Sequence, residues 1–238
     1  MSRPLRLYRL PQVEYETAWR WQNELAEGVR NGADEALLLL QHPPVYTFGR
    51  RIRPEHLLAN TEELEQRGAE VIESDRGGDI TFHGPGQIVG YPILNLRQRG
   101  LGAADYVHAL EEVLIRTLHR FGLPGERSPG RPGVWVGAAK VGPIGVHVSR
   151  GVTTHGFALN VETDLTWFDA IVPCGISDAA VTSIECLLGR SPGLLAVEDA
   201  LIDTFGKVFH SLPVCQSASL PDSSSRYRTK GPVLIHGH

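Results

Sequence analysis

The sequence predicts a mixed α/β domain, with a mixed β-sheet and flanking helices on one side rather than a strict βαβ winding. Two long segments carry apolar residues at helical spacing. Several short apolar or alternating runs between and around them read as strands. Those runs follow one another closely, with glycine and proline between them, which a regular strand–helix alternation would not produce.

The elements follow in order. Residues 5–10 (LRLYRL) form a first strand. Residues 14–30 form a helix with Tyr15, Ala18, Trp19, Gln22, Ala26 and Val29 on one stripe, ended near Gly32. The run ALLLLQ at 36–41 is a buried strand that Pro43 and Pro44 stop. A short polar helix at 62–67 and a strand at 70–74 precede RGGDITFHGPG at 76–86. There Asp79, Thr81 and His83 alternate with Ile80 and Phe82, the period of a strand, between glycines. Another strand follows near 88–94.

Residues 105–121 make the clearest helix. Tyr106, Leu110, Val113, Leu114, Thr117, Leu118 and Phe121 line one side, while Glu111, Glu112, Arg116 and His119 face away. Asp105 caps it, and Gly122 with Pro124 ends it. Strands at 133–137, 143–148 and 156–162 come next. A last helix at about 194–209 turns Leu194, Val197, Leu201, Phe205 and Val208 inward. One domain is expected over 1–213, followed by a polar, poorly ordered tail at 214–238.

Composition bounds the chemistry. The chain has 238 residues, 42% apolar and 21% charged, with a net charge of −4. That charge gives no reason to expect a nucleic acid partner, since such binding is driven by phosphate neutralisation. No segment reads as a membrane span or a leader, so a cytoplasmic protein is expected. Cys174, Cys186 and Cys215 are odd in number and widely spaced, suiting neither a disulfide framework nor a metal finger. Nothing matches a phosphate loop or a dinucleotide fingerprint. No cofactor and no metal are expected.

Cys174 sits in IVPCGI, a turn able to present sulfur with the Gly175 N–H nearby for an oxyanion. A free cysteine is more commonly a small buried hydrophobe, and Cys186 and Cys215 are read that way. A reactive thiol needs a positive charge or a base beside it. His83, His147 and His155 are candidates, and so is Lys140, isolated in the apolar stretch WVGAAKVGPIGV. A lysine whose stem lies along a strand is the plainer alternative. The glycines at 77, 78, 84, 86, 142, 145 and 156 either punctuate turns or form a channel wall of bare main chain.

Together HPPVYTFGRR, RGGDITFHGPGQIVGYPILNL, KVGPIGVHVSRGVTTHGFALNV and DLTWFDAIVPCGISDAAVTSI resemble the octanoyltransferases of lipoate biosynthesis, over most of residues 30–190. The resemblance implies the fold of biotin and lipoate ligase catalytic domains. It also implies octanoyl transfer through a cysteine thioester, without ATP. Octanoylated acyl carrier protein would be the donor. The acceptors would be lipoyl domains of 2-oxoacid dehydrogenase E2 subunits and the glycine cleavage H protein. Cys174 falls where the family carries its acylated cysteine, and Lys140 where it carries the activating lysine. Arg76, Gly77, Gly78, Asp79, Ile80, Thr81, Phe82 and His83 fall on the family's substrate-binding segments, as do Pro143, Ile144, Gly145, Gly156, Phe157 and Ala158. KVGPIG and Phe157 depart from the usual residues and bear on chain-length preference. Arg50, Arg51 and Arg53, and secondarily Arg97 and Arg99, are read as basic docking patches or as plain solvated surface.

Three rival readings follow. A ligase on the same scaffold would need an adenylate site and no nucleophilic cysteine. An octanoyl amidotransferase between lipoyl-domain proteins would share the cysteine but not the donor. A non-catalytic acyl-binding module would not need Cys174 and Lys140.

Overall fold

The computed structural model describes residues 3–51, 53–172 and 180–216. A six-stranded mixed sheet forms its centre, built from β1 (Arg3–Gln12), β2 (Glu35–Gln41), β6 (Gln87–Ile93), β10 (Ile144–Ser149), β11 (Val152–Asn160) and β13 (Ser211–Cys215). Their spatial order is β10-β11-β6-β2-β1-β13. β1 runs parallel to both β2 and β13, and the other three pairings are antiparallel.

ALLLL is continuously apolar because the sheet is covered on both faces. Leu37 and Leu39 join Leu5 and Leu7 beneath α4 (Ala103–His119) and α6 (Leu194–Val208). Ala36, Leu38 and Leu40 point the opposite way, with Val89, Tyr91 and Ile93, toward α1 (Tyr15–Arg30). Helices on one side only was therefore the wrong expectation. The stripe of α1 covers the second face with Ala18, Leu25, Ala26 and Val29.

Two smaller sheets flank this centre. β3 (Val45–Phe48) lies between β4 (Glu70–Glu73), parallel to it, and β5 (Ile80–His83), antiparallel. Beside β4, Asn60 caps the short helix α2 (Thr61–Gln66), its side chain accepting the Glu62 N–H. The other sheet has the order β12-β9-β8-β7, from β7 (Glu126–Ser128), β8 (Arg131–Val136), β9 (Ala139–Gly142) and β12 (Ala180–Val181). Two further short helices, α3 (Leu96–Arg99) and α5 (Ile184–Leu188), and two 3-10 turns at Pro54–His56 and Leu165–Ala170 complete the described elements. Among the described residues no helix is long and apolar enough to cross a membrane.

Several expectations shift. The strand at 139–142 that carries Lys140 was not foreseen, nor were β3, β7 and β13. The last of these pairs with β1 from Ser211 to Cys215, across the boundary expected at 213. Cys186 and Cys215 are exposed rather than buried. Glu111 is buried, where the helical pattern had turned it outward. Its carboxylate accepts the Gly133 N–H at 3.1 Å and the Arg127 Nε–H at 3.1 Å, so α4 is tied to β7 and β8. Asp105 acts one turn in, accepting the N–H of Gly102 at 3.1 Å.

Arg99, read as part of a basic patch, is instead consumed by the fold. Its guanidinium pairs with Glu35 and reaches the Phe209 carbonyl at 2.6 Å and Ser211 Oγ at 2.9 Å. Both side chains are nearly inaccessible, at 5% and 8%. Arg99→Ala leaves the Glu35 carboxylate buried without its cation, and is expected to lower the unfolding free energy from urea titration by about 3–5 kcal/mol. Arg120→Ala, which breaks an exposed pair with Asp203, is expected to cost under about 1 kcal/mol. Equal losses in the two variants would contradict this.

Candidate functional site

A cleft, partly open to solvent, lies where the β3–β5 sheet meets the β10-β11-β6 half of the large sheet. Its apolar lining is Val89, Pro143, Ile144, Phe157 and Ala158. Its polar lining is Tyr15, Arg76, Thr81, His83, Tyr91 and His155. The two faces of β5 divide accordingly. Thr81 and His83 face the cleft, while Ile80 and Phe82 enter a separate core with Tyr46, Phe48 and Phe168.

Nine of the residues expected on substrate-binding segments thus meet in one cleft: Arg76, Thr81, His83, Pro143, Ile144, Gly145, Gly156, Phe157 and Ala158. Gly77, Gly78, Asp79, Ile80 and Phe82 do not line it. Asp79 instead anchors the arginine loop, with its carboxylate accepting from His56 Nδ1 and from the Arg53 N–H at 3.1 Å. The backbone of the same loop is laced to 76–79, by Gly49 N–H to the Asp79 carbonyl (3.0 Å), Arg50 N–H to Arg76 (2.9 Å) and Arg51 N–H to Gly78 (3.0 Å). Arg50, Arg51 and Arg53 themselves are exposed.

The glycines serve the chain's own close packing more than a bare channel wall. A Cβ on Gly145 would lie 2.8 Å from the Gly77 carbonyl oxygen, and one on Gly156 2.2 Å from that of Gly90. The space is already filled by main chain.

Arg76 is buried, with Nε donating to Thr47 Oγ1 at 3.0 Å, Nη1 to the Gly77 carbonyl at 3.1 Å and Nη2 to the Thr47 carbonyl. Three imidazoles surround the cleft's inner end. His42 Nδ1 donates to the Val13 carbonyl at 2.6 Å, and Tyr91 OH donates to its Nε2 at 2.7 Å. His83 Nδ1 lies 2.7 Å from Gln87 Oε1. His155 Nε2 donates to Asp75 Oδ1 at 2.7 Å, and His147 Nε2 stands 3.7 Å from the other Asp75 oxygen. Among the described residues no group of His, Cys, Asp and Glu has the geometry to hold a metal ion. His155 has φ +56 in the middle of β11, a left-handed conformation costing about 1–3 kcal/mol in a non-glycine residue. Gln22 of α1 holds it by accepting its N–H at 2.7 Å.

Burial keeps these rings uncharged. His83 is pushed down to about 3, by burial first and then by its neighbour His42. His42 is pushed down to about 4 by burial, against the Val13 hydrogen bond. For His155 burial again lowers the pKa and outweighs the Asp75 interaction. The lining is therefore apolar and neutral apart from the Arg76 guanidinium, and suits an apolar chain ending in a polar group.

Lys140 is 5% exposed, with Nζ donating to the Pro132 carbonyl at 3.1 Å and lying 4.8 Å from the centre of the Trp135 ring. It is not itself part of the cleft lining, but Pro143, Ile144 and Gly145, which follow on the same chain, are. β12 pairs alongside it, Ala180 opposite Ala139 and Val181 opposite Lys140. Cys174 and Gly175 lie outside the described residues. Tyr15, His42, Tyr91, Gln87 and Asn160 were not singled out for the site by sequence reasoning; the last four lie within the recognisable segments, whereas Tyr15 was marked only by its place on the helical stripe of 14–30.

A family model described as the lipoyl protein ligase A/B catalytic domain matches residues 14–206. An octanoyltransferase from Chloroflexus aurantiacus is 49% identical over 222 residues, covering 92% of this chain and 100% of that one. One from Rubrobacter xylanophilus is 52% identical over 204 residues, covering 84% and 91%. Among solved structures, a putative lipoate protein ligase from T. acidophilum superimposes with a TM-score of 0.69 at 16% identity, covering 92% and 90%. A lipoate-protein ligase A bound with ATP gives 0.67 at 17%, covering 91% and 90%. At such identities the structural likeness shows the shared fold alone.

The depressed histidines set a pH dependence. Unfolded, each imidazole titrates near 6.5 and binds a proton that the folded form refuses. Stability is therefore full above about pH 6.5 and falls as pH drops toward 4, by up to about 1.4 kcal/mol per pH unit for each of His42 and His83. Urea midpoints at about pH 7 and pH 5.5 should show this loss, and His42→Gln should reduce it. A midpoint constant across that window would contradict neutral burial.

Proposed function

We propose a specific reaction for this chain, which belongs to the octanoyltransferases of the lipoyl protein ligase A/B catalytic-domain family. It is an acyltransferase that moves an octanoyl group from acyl carrier protein to a lysine of a lipoyl domain, through a thioester on Cys174 and without ATP. Those acceptors include lipoyl domains of 2-oxoacid dehydrogenase E2 subunits and the glycine cleavage H protein. The observation that carries the reading is the cleft, which gathers nine family-segment residues into one apolar slot with a polar inner end.

Lys140, as the free amine, takes the Cys174 proton. The thiolate attacks the donor's thioester carbonyl, a new C–S bond forms, and the carrier's thiol leaves with the proton returned by Lys140. In the second half the acceptor lysine's amine attacks. A C–N bond forms, the C–S bond to Cys174 breaks, and the amine proton passes by way of Lys140 to the departing sulfur. An amide lies downhill from a thioester, so no nucleotide is consumed. Burial of Lys140 supports this role, because little water competes with the thiol for its amine. Ala180, six residues after Cys174 in the sequence, also lies on the strand paired with Lys140's own. We place the reaction in the cytoplasm, where thiols stay reduced.

The ligase alternative shares the fold, as its solved relatives do, but the chain's curated relatives are named octanoyltransferases.

Incubation with octanoyl-acyl carrier protein in the absence of ATP should add one octanoyl group by intact mass. Cys174→Ser should abolish the hydroxylamine-labile adduct, and Lys140→Ala should slow its formation by about a hundredfold or more. Full-rate loading in Lys140→Ala would end the lysine assignment. The exposed Arg50 and Arg51 suit docking of an acidic carrier. Their joint reversal to glutamate should raise KM for the acylated carrier about tenfold with little change in kcat, and an unchanged KM would remove this loop from the docking face.

A further inference from the structure

We infer that Gln87 and Asn160 are positioning residues that hold His83 as a hydrogen-bond acceptor at the cleft, where its Nε2 receives an N–H of the attacking amine. This rests on the thioester route proposed above and assigns a residue to its second half.

The direction of every bond in the chain follows from one end. The Thr182 carbonyl accepts only, so the Asn160 contact at 3.0 Å is made by Nδ2. Asn160 Oδ1 then faces Gln87, which must donate through Nε2 at 2.8 Å. The same Nε2 lies 3.3 Å from a second acceptor, the Phe82 carbonyl. That orientation turns Gln87 Oε1 to His83, whose Nδ1 must therefore carry the proton across 2.7 Å. Gln87 and Asn160 have no exposed surface. Turning either amide would set acceptor against acceptor where water cannot compensate.

With Nδ1 committed, Nε2 is left as a lone pair, with no hydrogen bond to it among the described residues. Tyr15 stacks on the ring at 6.2 Å and His42 meets it edge-on at 5.9 Å, which holds its plane. A thioester offers only its carbonyl oxygen and its sulfur, both acceptors, and a lone pair would repel them. A primary amine offers N–H. To attack, it must aim its own lone pair at the carbonyl carbon, and an acceptor behind it fixes that aim.

Buried as it is, the imidazole is too weak a base to keep the proton. It accepts a hydrogen bond while the C–N bond forms and the C–S bond breaks, and the proton follows the Lys140 path already described. Thr182, at the far end of the chain of amides, also donates its N–H to the Lys140 carbonyl at 3.0 Å. The two polar groups of the second half-reaction are thereby registered through one residue, Thr182.

The test times the two half-reactions separately by intact mass: loading from octanoyl-acyl carrier protein, and transfer from the loaded enzyme to a lipoyl domain. Gln87→Leu, which removes the acceptor that holds the Nδ1 proton, should slow transfer about tenfold more than loading. Nitrogen-15 NMR of the wild-type enzyme should show His83 neutral and protonated on Nδ1 from about pH 7 down to about pH 5. Equal slowing of both halves in Gln87→Leu, or a proton found on Nε2, would overturn the inference. Should Gln87→Leu not fold, the wild-type NMR measurement decides alone. A wild-type enzyme that never loads would sink the thioester route itself, while the NMR result still judges the hydrogen-bond chain.

Discussion

A guanidinium is costly to take out of water, and the fold places one in the seam between its sheets. Arg76 donates to Thr47 Oγ1 and to the carbonyls of Thr47 and Gly77, so β3, the RGGD stretch and the cleft share one charged group. Gly145 of β10 faces it across a gap in which a Cβ would lie 3.3 Å from the Arg76 Cδ. Loss of these bonds would strand a buried charge, and the same stretch is joined to the large sheet by the Gly77 N–H, which donates to the Val146 carbonyl of β10 at 2.9 Å. The placement of Thr81 and His83 depends on that attachment. The same charge, after burial and His42, contributes to holding His83 neutral.

Burial on both faces of the large sheet gives the cleft its rigid wall. One face packs on α4 and α6, the other on α1, and α1 reaches the site directly through Tyr15 and Gln22. Gln22 secures His155 in its left-handed conformation, so a helix on the core side dictates the direction of a ring at the cleft. Stability and site geometry are set by the same contacts here.

Long helices and the buried run at 36–41 were legible in the sequence because their periodicity repeats over several turns or fills a whole strand. β3, β7, β9 and β13 were not, being three to five residues long and holding lysine, proline or no alternation. Their existence depends on partners elsewhere in the chain, as Lys140's strand depends on β8 and β12. Glu111 misled for the same reason: a helical wheel cannot know that Arg127 and Gly133 wait across it. At the site, the motifs pointed to the right segments, and the alternation in ITFH correctly separated Thr81 and His83 from Ile80 and Phe82. The amides behind His83 were hidden, since Gln87 meets Asn160 across 73 residues of chain.

Neutrality is the property that unites the cleft's parts. Three imidazoles stand around it and burial leaves each of them uncharged. Charged rings would draw water into the slot, and water competes with an amine for any thioester held there. Hydrogen-bonded neutral rings keep direction without that attraction, because an imidazole with one nitrogen committed still offers a single, oriented lone pair. Under the proposed route the cleft can then admit an acyl chain without desolvating an ion on every side, and reserve its one oriented acceptor for the group that must arrive second. The Arg76 guanidinium is tied to backbone carbonyls, so its charge is directed by the fold rather than free to hydrate the slot, and Lys140 Nζ is held in the same way by the Pro132 carbonyl.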